Sequence, residues 1–350
     1  MKQGKTLPQL AQELDRQQKV RKDLIADTST LTLQTDQNGQ SLMQIDFGKT
    51  IESFGVEETA HRQIASRLQI PYKYYERLRK YFSELLDHNI NKWFRKEPER
   101  RMLRTLDGNV RAFLSDRYRR IDNLEIAEAV FPIIAQMKGA EIMSCEITQT
   151  HLYIKIVNHG LKADLGVNDI VKAGIVISNN EIGLGSFRVE PLIYRLACKN
   201  GLIIREYSKK HYHVGKQIAG EDPAYEIYSD ATINADDKAF FMKVQDTVRT
   251  AVDEVQFLMA IGNFKESKKI MLDADPDKTV KILTDRYTLN RVEQTSILHH
   301  LIALDDNTMF GLINAVTRAS QDIADYDRAT ELERIGGMLI STPLIISKSA

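Results

Sequence analysis

Short alternating runs and helical stretches share the first two thirds of the chain, whereas the last third has a helical period throughout. The runs 31–35 and 41–47 have the period of two that is typical of strands with one buried face. They flank Asn38-Gly39, which favours a two-residue hairpin turn because both turn positions require positive φ. Three further runs of this kind predict strands at 141–148, 151–157 and 171–178.

Apolar residues at helical spacing predict helices before and between these strands. The segment 7–25 is a polar helix with a thin apolar stripe. The segments 57–68 and 72–89 are amphipathic, and Pro71 is well suited to begin the second of them. The first sheet strands are therefore followed by at least two helices.

Capping residues place two more helices. Asp122, with Glu125 three residues later, has the capping-box pattern at the start of a helix that runs to about residue 138. Pro191 predicts the first residue of another helix, and Gly201 predicts its end.

From Ala235 onward the spacing is helical. The first helix there is predicted to be long, with one apolar face formed by Val244, Val248, Val252, Val255 and Met259. Four more helices fit the segments 277–285, 289–304, 307–318 and 320–336.

Together these patterns predict an α+β protein, with an antiparallel sheet and packed helices followed by an all-helical C-terminal domain. A polar segment without a clear period, containing glycine and proline, marks a linker. The predicted boundaries are an N-terminal helical arm at 1–25, an α+β core at 26–215, the linker at 216–234 and the helical domain at 235–350.

Charge is balanced overall but unevenly distributed. The chain has 350 residues with 48 Lys or Arg and 48 Asp or Glu, so no global field draws it to nucleic acid or to a membrane. The segment 92–120 holds ten bases and four acids, a local net charge of +6. The segment 221–334 holds 22 acids and 13 bases, a net charge of −9. An anion-binding core is expected, with acidic C-terminal helices available to a protein partner.

Only Cys145 and Cys198 occur, which excludes a disulfide framework and fits a reducing compartment. The N-terminal residues lack the apolar stretch of a secretory signal. No apolar run approaches the ~20 residues needed to span a bilayer. The expected location is the cytoplasm, with no membrane partner.

A second hairpin is predicted from the runs 101–106 and 109–114, joined by an Asp-Gly turn. A two-residue turn places Arg104 opposite Arg111, and like charges there destabilise a sheet unless an anion lies between them. A phosphate backbone is one such anion, and Phe113 on the same face would then lie against a base or a sugar. The alternative is that acidic residues of a neighbouring element pair both arginines.

The next residues place an aromatic ring among guanidinium groups, which suits single-stranded nucleic acid. The alternative is a solvated connection with Tyr118 tucked into the core. More distant cations could extend the track. The predicted nucleic-acid contacts are Arg101, Arg104, Arg111, Phe113, Arg117, Tyr118, Arg119, Arg120, Arg188, Lys209 and Lys210.

Catalytic and metal-binding patterns are weak. His211 and His213 would share a face of a strand, but no third ligand follows at a familiar spacing. Gly183 and Gly185 lack the remaining residues of the nucleotide-binding glycine motifs. No nucleophile elbow occurs. The prediction is a protein without metal, cofactor or enzymatic activity, and an enzyme with an unrecognised site is the alternative.

The run HRQIASRLQIPYKYYERL has the outline of a helix-turn-helix, a motif that reads duplex DNA through the major groove. The alternative is a plain pair of helices that packs on the sheet.

Three runs together resemble a known family: IASRLQIPYKYYERL, TLDGNVRAFLSDRYRRIDNLEIAEAV and FRVEPLIYRLACKNGLI. They resemble the phage/plasmid-like domain-of-unknown-function family over roughly residues 25–215. Members of that family are encoded largely on mobile elements, and the resemblance implies the same for this chain.

The predicted element order over 141–200 is remotely similar to the β-β-β-α core of single-strand annealing recombinases of the Red beta type. That similarity implies homo-oligomeric rings or filaments that hold single-stranded DNA by its backbone and anneal it in recombination, without metal or ATP. The leading prediction is therefore a DNA-binding protein of a mobile element that acts on single strands. The alternatives are a helix-turn-helix duplex binder and a protein–protein interaction module, such as an anti-defence or assembly factor.

Overall fold

The protein is an α+β structure with two β-sheets, each covered by helices, in the computed structural model of the chain. The structure describes residues 1–118, 120–166, 169–204, 230–273 and 275–341. Its last elements are all helical. The predicted fold class is thereby confirmed.

The first sheet has six strands. They are β1 Lys22–Asp27, β2 Leu31–Thr35, β3 Ser41–Asp46, β4 Ile51–Val56, β5 Arg100–Leu106 and β6 Asn109–Ser115. Their order is β1-β5-β6-β4-β3-β2, and all neighbours are antiparallel except β4 and β6. The predicted hairpin of β2 and β3 is confirmed, but its turn is longer than the predicted two residues. The strands end at the pair Thr35 and Ser41, and Gly39, at a φ of 78°, has positive φ whereas Asn38 does not.

Helices cover one face of this sheet. They are α2 Glu58–Arg67, α3 Tyr72–Tyr81 and α4 Ser83–Lys96. The first helix of the chain, α1 Leu7–Val20, packs elsewhere. Leu33, Met43 and Leu103 from the strands share a core with Ile64 and Ile90 from the helices. The predicted helices at 57–68 and 72–89 are confirmed, although the second extends only to Tyr81 before α4 begins.

Side chains of α4 protect the edge of β2. Asn91 accepts a hydrogen bond from the Leu33 amide at 2.8 Å and donates one to its carbonyl at 2.9 Å. Asp87 accepts from the Thr35 amide at 2.6 Å. These groups take the place of a further strand, which is how a sheet edge is kept from pairing with another chain.

The second sheet is an antiparallel meander that follows helix α5 Asn123–Gln136. Its strands are β7 Ala140–Ile147, β8 His151–Gly166, β9 Asp169–Asn180, β10 Arg188–Arg195 and β11 Asn200–Ile203. The capping box of Asp122 and Glu125 is present at the start of α5, as predicted.

The prediction of a helix starting at Pro191 is wrong, because this segment forms β10. It pairs along its full length with β9, where Pro191 lies opposite Ile175. Proline is tolerated here because β11 ends at Ile203, and only the Pro191 carbonyl is used, accepting from the Ile204 amide at 2.9 Å. The segment 141–200 is therefore a run of strands and not a β-β-β-α unit.

The C-terminal helices pack on this second sheet. They are α6 Asp230–Thr250, α7 Glu254–Glu266, α8 Pro276–Tyr287, α9 Arg291–Leu304, α10 Met309–Asp322 and α11 Tyr326–Ser341. Leu202 and Ile204 share one core with Ile313 and Ile335 of these helices, so the cores do not divide near residue 235. The N-terminal arm is also integrated, since Leu10 of α1 is buried with α5 and the sheet.

The long helix predicted from Ala235 is in fact two helices. α6 ends at Thr250, and Asp253 caps the start of α7 by accepting from the Gln256 amide. Val244 and Val248 are buried as predicted, but Val255 lies on the second helix and is 67% exposed.

Within the described ranges, no helix has the length and apolar character that crossing a bilayer requires.

Candidate nucleic-acid interface

The two arginines expected to face each other do not. In the register of β5 and β6, Arg104 lies opposite Ala112, and the pairing shifts between Arg104 and Thr105. This bulge adds a residue to β6 and displaces Arg111 from the predicted position. The prediction of an Arg104–Arg111 cross-strand pair is therefore wrong.

Arg104 is fully buried among internal acceptors. Its guanidinium donates to Asp23 at 2.9 Å, to Asp122 at 2.5 Å and to the Glu181 carbonyl at 2.8 Å. Burial alone would lower the pKa of this guanidinium, but the surrounding carboxylates raise it above its usual value. No surface of the side chain is left for a phosphate.

Arg111 has a carboxylate partner of its own. It donates to Glu181 at 2.6 Å, and the second oxygen of Glu181 accepts from the Asn123 amide at 2.6 Å. Glu181 lies just after β9, so this carboxylate joins the first sheet to the second and to the start of α5. The alternative of internal acids pairing both arginines is confirmed.

The two aromatic stacking candidates also belong to cores. Phe113 is 3% exposed and stacks on Phe94 with 5.7 Å between ring centroids. Tyr118 packs with Met102 and Leu114, and burial raises the pKa of its hydroxyl. The Phe113 ring is not available to a base, so that prediction is wrong, whereas Tyr118 is half-buried and its stacking role stays a prediction.

The other predicted contacts differ in accessibility. Arg101 pairs with Glu99 at 2.8 Å and is largely covered. Arg120 is exposed and lies 3.4 Å from Asp23. Arg117 is exposed, and Arg188 is half-buried at the start of β10. The remaining predictions fall outside the described residues, namely Arg119, Lys209, Lys210, His211 and His213.

The glycine loop after β9 connects β9 to β10 within the second sheet and packs against Leu114 of the first, so it is not a phosphate cradle. A side chain at Gly183, whose φ is 79°, would come within 2.6 Å of Leu114. Gln63 donates to the Ile182 carbonyl at 2.7 Å. In the part of the chain that the structure describes, no three His, Cys, Asp or Glu side chains gather as metal ligands.

Helices α2 and α3 form the predicted helix-turn-helix outline but pack on the sheet. His61 of α2 is buried and bonds to the Tyr75 hydroxyl of α3 at 2.8 Å. Burial lowers the pKa of His61 to about 3, so the ring is neutral at physiological pH. The alternative of a helix pair on the sheet is confirmed for this inner side.

The outer side of α3 carries cations and exposed rings. Lys73, Arg77 and Lys80 recur at helical spacing, and Tyr74 and Tyr81 lie beside them. Tyr74 is 51% exposed and Tyr81 is 63% exposed. Lys80 lies 5.2 Å from the Tyr81 ring centroid.

Exposed residues of the same kinds occur in and before α4. Phe82, which connects the two helices, is 56% exposed, and Trp93 is 41% exposed. Lys96 lies 4.8 Å from the Trp93 ring centroid. We define the basic–aromatic surface as the exposed residues Lys73, Tyr74, Arg77, Lys80, Tyr81, Phe82, Lys92, Trp93, Arg95 and Lys96.

Internal acids do not neutralise this surface. The segment 72–96 has seven Lys or Arg and three Asp or Glu. Glu76 is engaged by Arg79, and Asp87 by the β2 edge. Among the described residues no carboxylate lies within 4.0 Å of the surface's six cations, which are Lys73, Arg77, Lys80, Lys92, Arg95 and Lys96.

This surface was not identified from the sequence, although the residues carry a detectable sign. Tyr75 and Leu78 set the buried direction of α3, and Tyr74 and Tyr81 fall outside it. Aromatic residues off the apolar stripe of a helix, next to lysine and arginine, indicate a binding face.

Comparisons of this chain with protein-family models, with curated proteins and with solved structures found no match. The family resemblance stays a prediction.

Proposed function

We propose that the protein binds single-stranded DNA across the basic–aromatic surface of α3 and α4. The observation that carries this proposal is the exposure of four aromatic rings among six cations that have no carboxylate partner within the described ranges. The surface replaces the arginine hairpin as the site.

The cations of the surface suit the phosphates of a nucleic acid, and its aromatic rings suit the bases. Lysine and arginine side chains that no described carboxylate neutralises attract phosphates and release their counterions. Exposed rings stack on bases, each such contact being worth about 1–3 kcal/mol. An acidic protein partner would use the cations but would leave rings such as Tyr81 without a matching π face.

The exposed rings favour single strands over duplex. In a duplex the base faces are covered by their neighbours, so only groove edges and phosphates can be reached. Tyr74 and Tyr81 cannot stack on covered bases. A major-groove reader would instead present side chains with paired donors and acceptors to the base edges.

The wider role rests on the resemblance described above. From the three family runs we infer a mobile-element protein encoded by a phage or plasmid. Annealing of complementary strands by homo-oligomers, without a cofactor, no longer has the β-β-β-α order at 141–200 behind it and depends on the DNA-binding surface alone. Binding in EDTA, followed by an annealing assay with two labelled complementary oligonucleotides, tests this part separately from binding.

Fluorescence anisotropy with a labelled oligonucleotide of about 20 nucleotides tests the site. We expect Lys73→Gln with Lys80→Gln to weaken binding by about tenfold or more. The matched control is Lys138→Gln with Lys162→Gln, which removes two exposed cations elsewhere and should leave affinity unchanged. Equal affinity of both double variants would remove the site.

Competition with unlabelled duplex separates the alternatives. If the protein prefers single strands, unlabelled single-stranded DNA displaces the labelled strand at a lower concentration than duplex does. Preference for duplex would instead favour the helix-turn-helix alternative. Complete absence of salt-dependent affinity would favour the protein–protein module.

A further inference from the structure

Helix α7 has apolar residues on two of its sides. Its inner side buries Phe257, Ile261 and Phe264 in the core of the second sheet. Its outer side exposes a second apolar stripe, which begins at Val255. We define the α7 stripe as Val255, Leu258, Met259 and Gly262.

The α7 stripe has the spacing of a packed helix face, but none of the residues that the structure describes buries it. Val255, Leu258 and Met259 are 67%, 50% and 54% exposed, at positions i, i+3 and i+4. A side chain at Gly262 would meet nothing within 4 Å. Contiguous apolar surface on one helix face is typical of an interaction site.

The stripe is complementary to itself in an antiparallel arrangement. If a two-fold axis passes between Leu258 and Met259, these two residues meet their counterparts in the second copy. Val255 then lies over Gly262, and the missing side chain leaves room for it. A parallel arrangement would place Val255 against Val255 and leave Gly262 facing a gap.

The charges at the two ends of α7 favour the same orientation. Glu254 lies at the start of the helix and Lys265 in its last turn, and both are exposed on the flank that carries Leu258. An antiparallel second copy places each Glu254 beside a Lys265. A parallel copy would leave Glu254 and Lys265 at opposite ends of the contact, without an opposed pair.

We propose that α7 is a two-fold contact through which two copies of this chain associate. Such an isologous interface closes with two copies and does not by itself extend into a ring or a filament. The stripe is small compared with a standard interface, so the association is weak and depends on concentration.

Sedimentation equilibrium of the full chain without DNA, over about 1 to 200 μM, tests the contact. The mass should rise towards that of a dimer. Met259→Glu should weaken association by about tenfold or more, because it desolvates a carboxylate in the interface. The control Val292→Glu changes a residue of α9 that is 71% exposed and should leave the dimer constant unchanged.

A monomeric wild type over this range would overturn the proposal. So would equal effects of the two glutamate variants, since the interface would then lie elsewhere.

Charge reversal tests the orientation. Glu254→Lys and Lys265→Glu should each weaken the dimer, and the double variant should recover it, because each opposed pair is restored with its signs exchanged. A double variant weaker than either single variant would exclude the antiparallel arrangement. These measurements contain no nucleic acid, so their failure leaves the proposed DNA surface unaffected.

Discussion

The Arg104 guanidinium donates to the Asp122 carboxylate at 2.5 Å, and this bond joins β5 of the first sheet to the start of α5 beside the second. Glu181 closes the same network through Arg111. Arg104 and Arg111, which resemble a polyanion-binding site in the sequence, therefore form ion pairs inside the protein. Their charges are satisfied before any ligand arrives.

Breaking this network should be costly. Arg104→Met leaves Asp23 and Asp122 without their main partner, and removal of one member of a buried pair typically costs 3–5 kcal/mol. We expect a loss of about that size in the free energy of unfolding, measured in urea. The control Arg120→Gln removes an exposed cation 3.4 Å from Asp23 and should change stability by less than about 0.5 kcal/mol. Similar losses in both variants would contradict the network.

The buried His61 makes stability depend on pH. Its folded pKa, lowered to about 3 by burial, lies below the ordinary value of 6.5, so between these values only the unfolded chain binds the proton. Stability should therefore fall as pH drops below 6.5, by up to about 1.4 kcal/mol per pH unit.

Urea unfolding of wild type and His61→Gln at pH 7 and pH 5 measures this term. Wild type should lose about 2 kcal/mol more than the variant over this interval. If both proteins lose the same free energy of unfolding, groups other than His61 dominate the loss of stability at acidic pH.

Salt dependence distinguishes phosphate contacts from a general loss of structure. For single strands the logarithm of the binding constant falls with the logarithm of salt by about 0.7 for each phosphate engaged. Replacing Lys73, Arg77 and Lys80 by Gln should reduce this slope by about 2. An unchanged slope with lower affinity would indicate damage to the fold and not a lost contact.

The protected edge of β2 predicts an aggregation phenotype. Asn91→Ala removes both hydrogen bonds to Leu33 and should destabilise the protein by about 1–3 kcal/mol. The freed backbone groups should also increase light scattering on mild heating, since exposed edges pair with other chains. His88→Ala, at an exposed position of the same helix, is the control. Equal light scattering from the two variants would contradict the role of Asn91 in protecting the β2 edge.

Local patterns predicted much of the fold. The β2–β3 hairpin and the Asp122 capping box involve residues at most a few positions apart, so the chain encodes them without tertiary help, although the hairpin turn is longer than the predicted two residues. The periods of the C-terminal helices predicted most of their positions. The break before Asp253 was missed, because buried valines before it and exposed ones after it share one spacing.

Distant contacts explain the errors. Pro191 was assigned to a helix by its own preference, but pairing with β9 decides the outcome. The partners of Arg104 lie 81 and 77 residues away at Asp23 and Glu181, and neither can be inferred from the hairpin alone. The only sign of the α3 site in the sequence was the position of Tyr74 and Tyr81 outside the buried stripe of that helix.

The ion pairs of Arg104 with Asp122 and of Arg111 with Glu181 join the first sheet to the second, and this has a consequence for avidity. A dimer formed through α7 would carry two basic–aromatic surfaces in one complex, because these ion pairs join the first sheet to the sheet that packs against α7. One strand long enough to reach both surfaces would then bind far more tightly than two short ones.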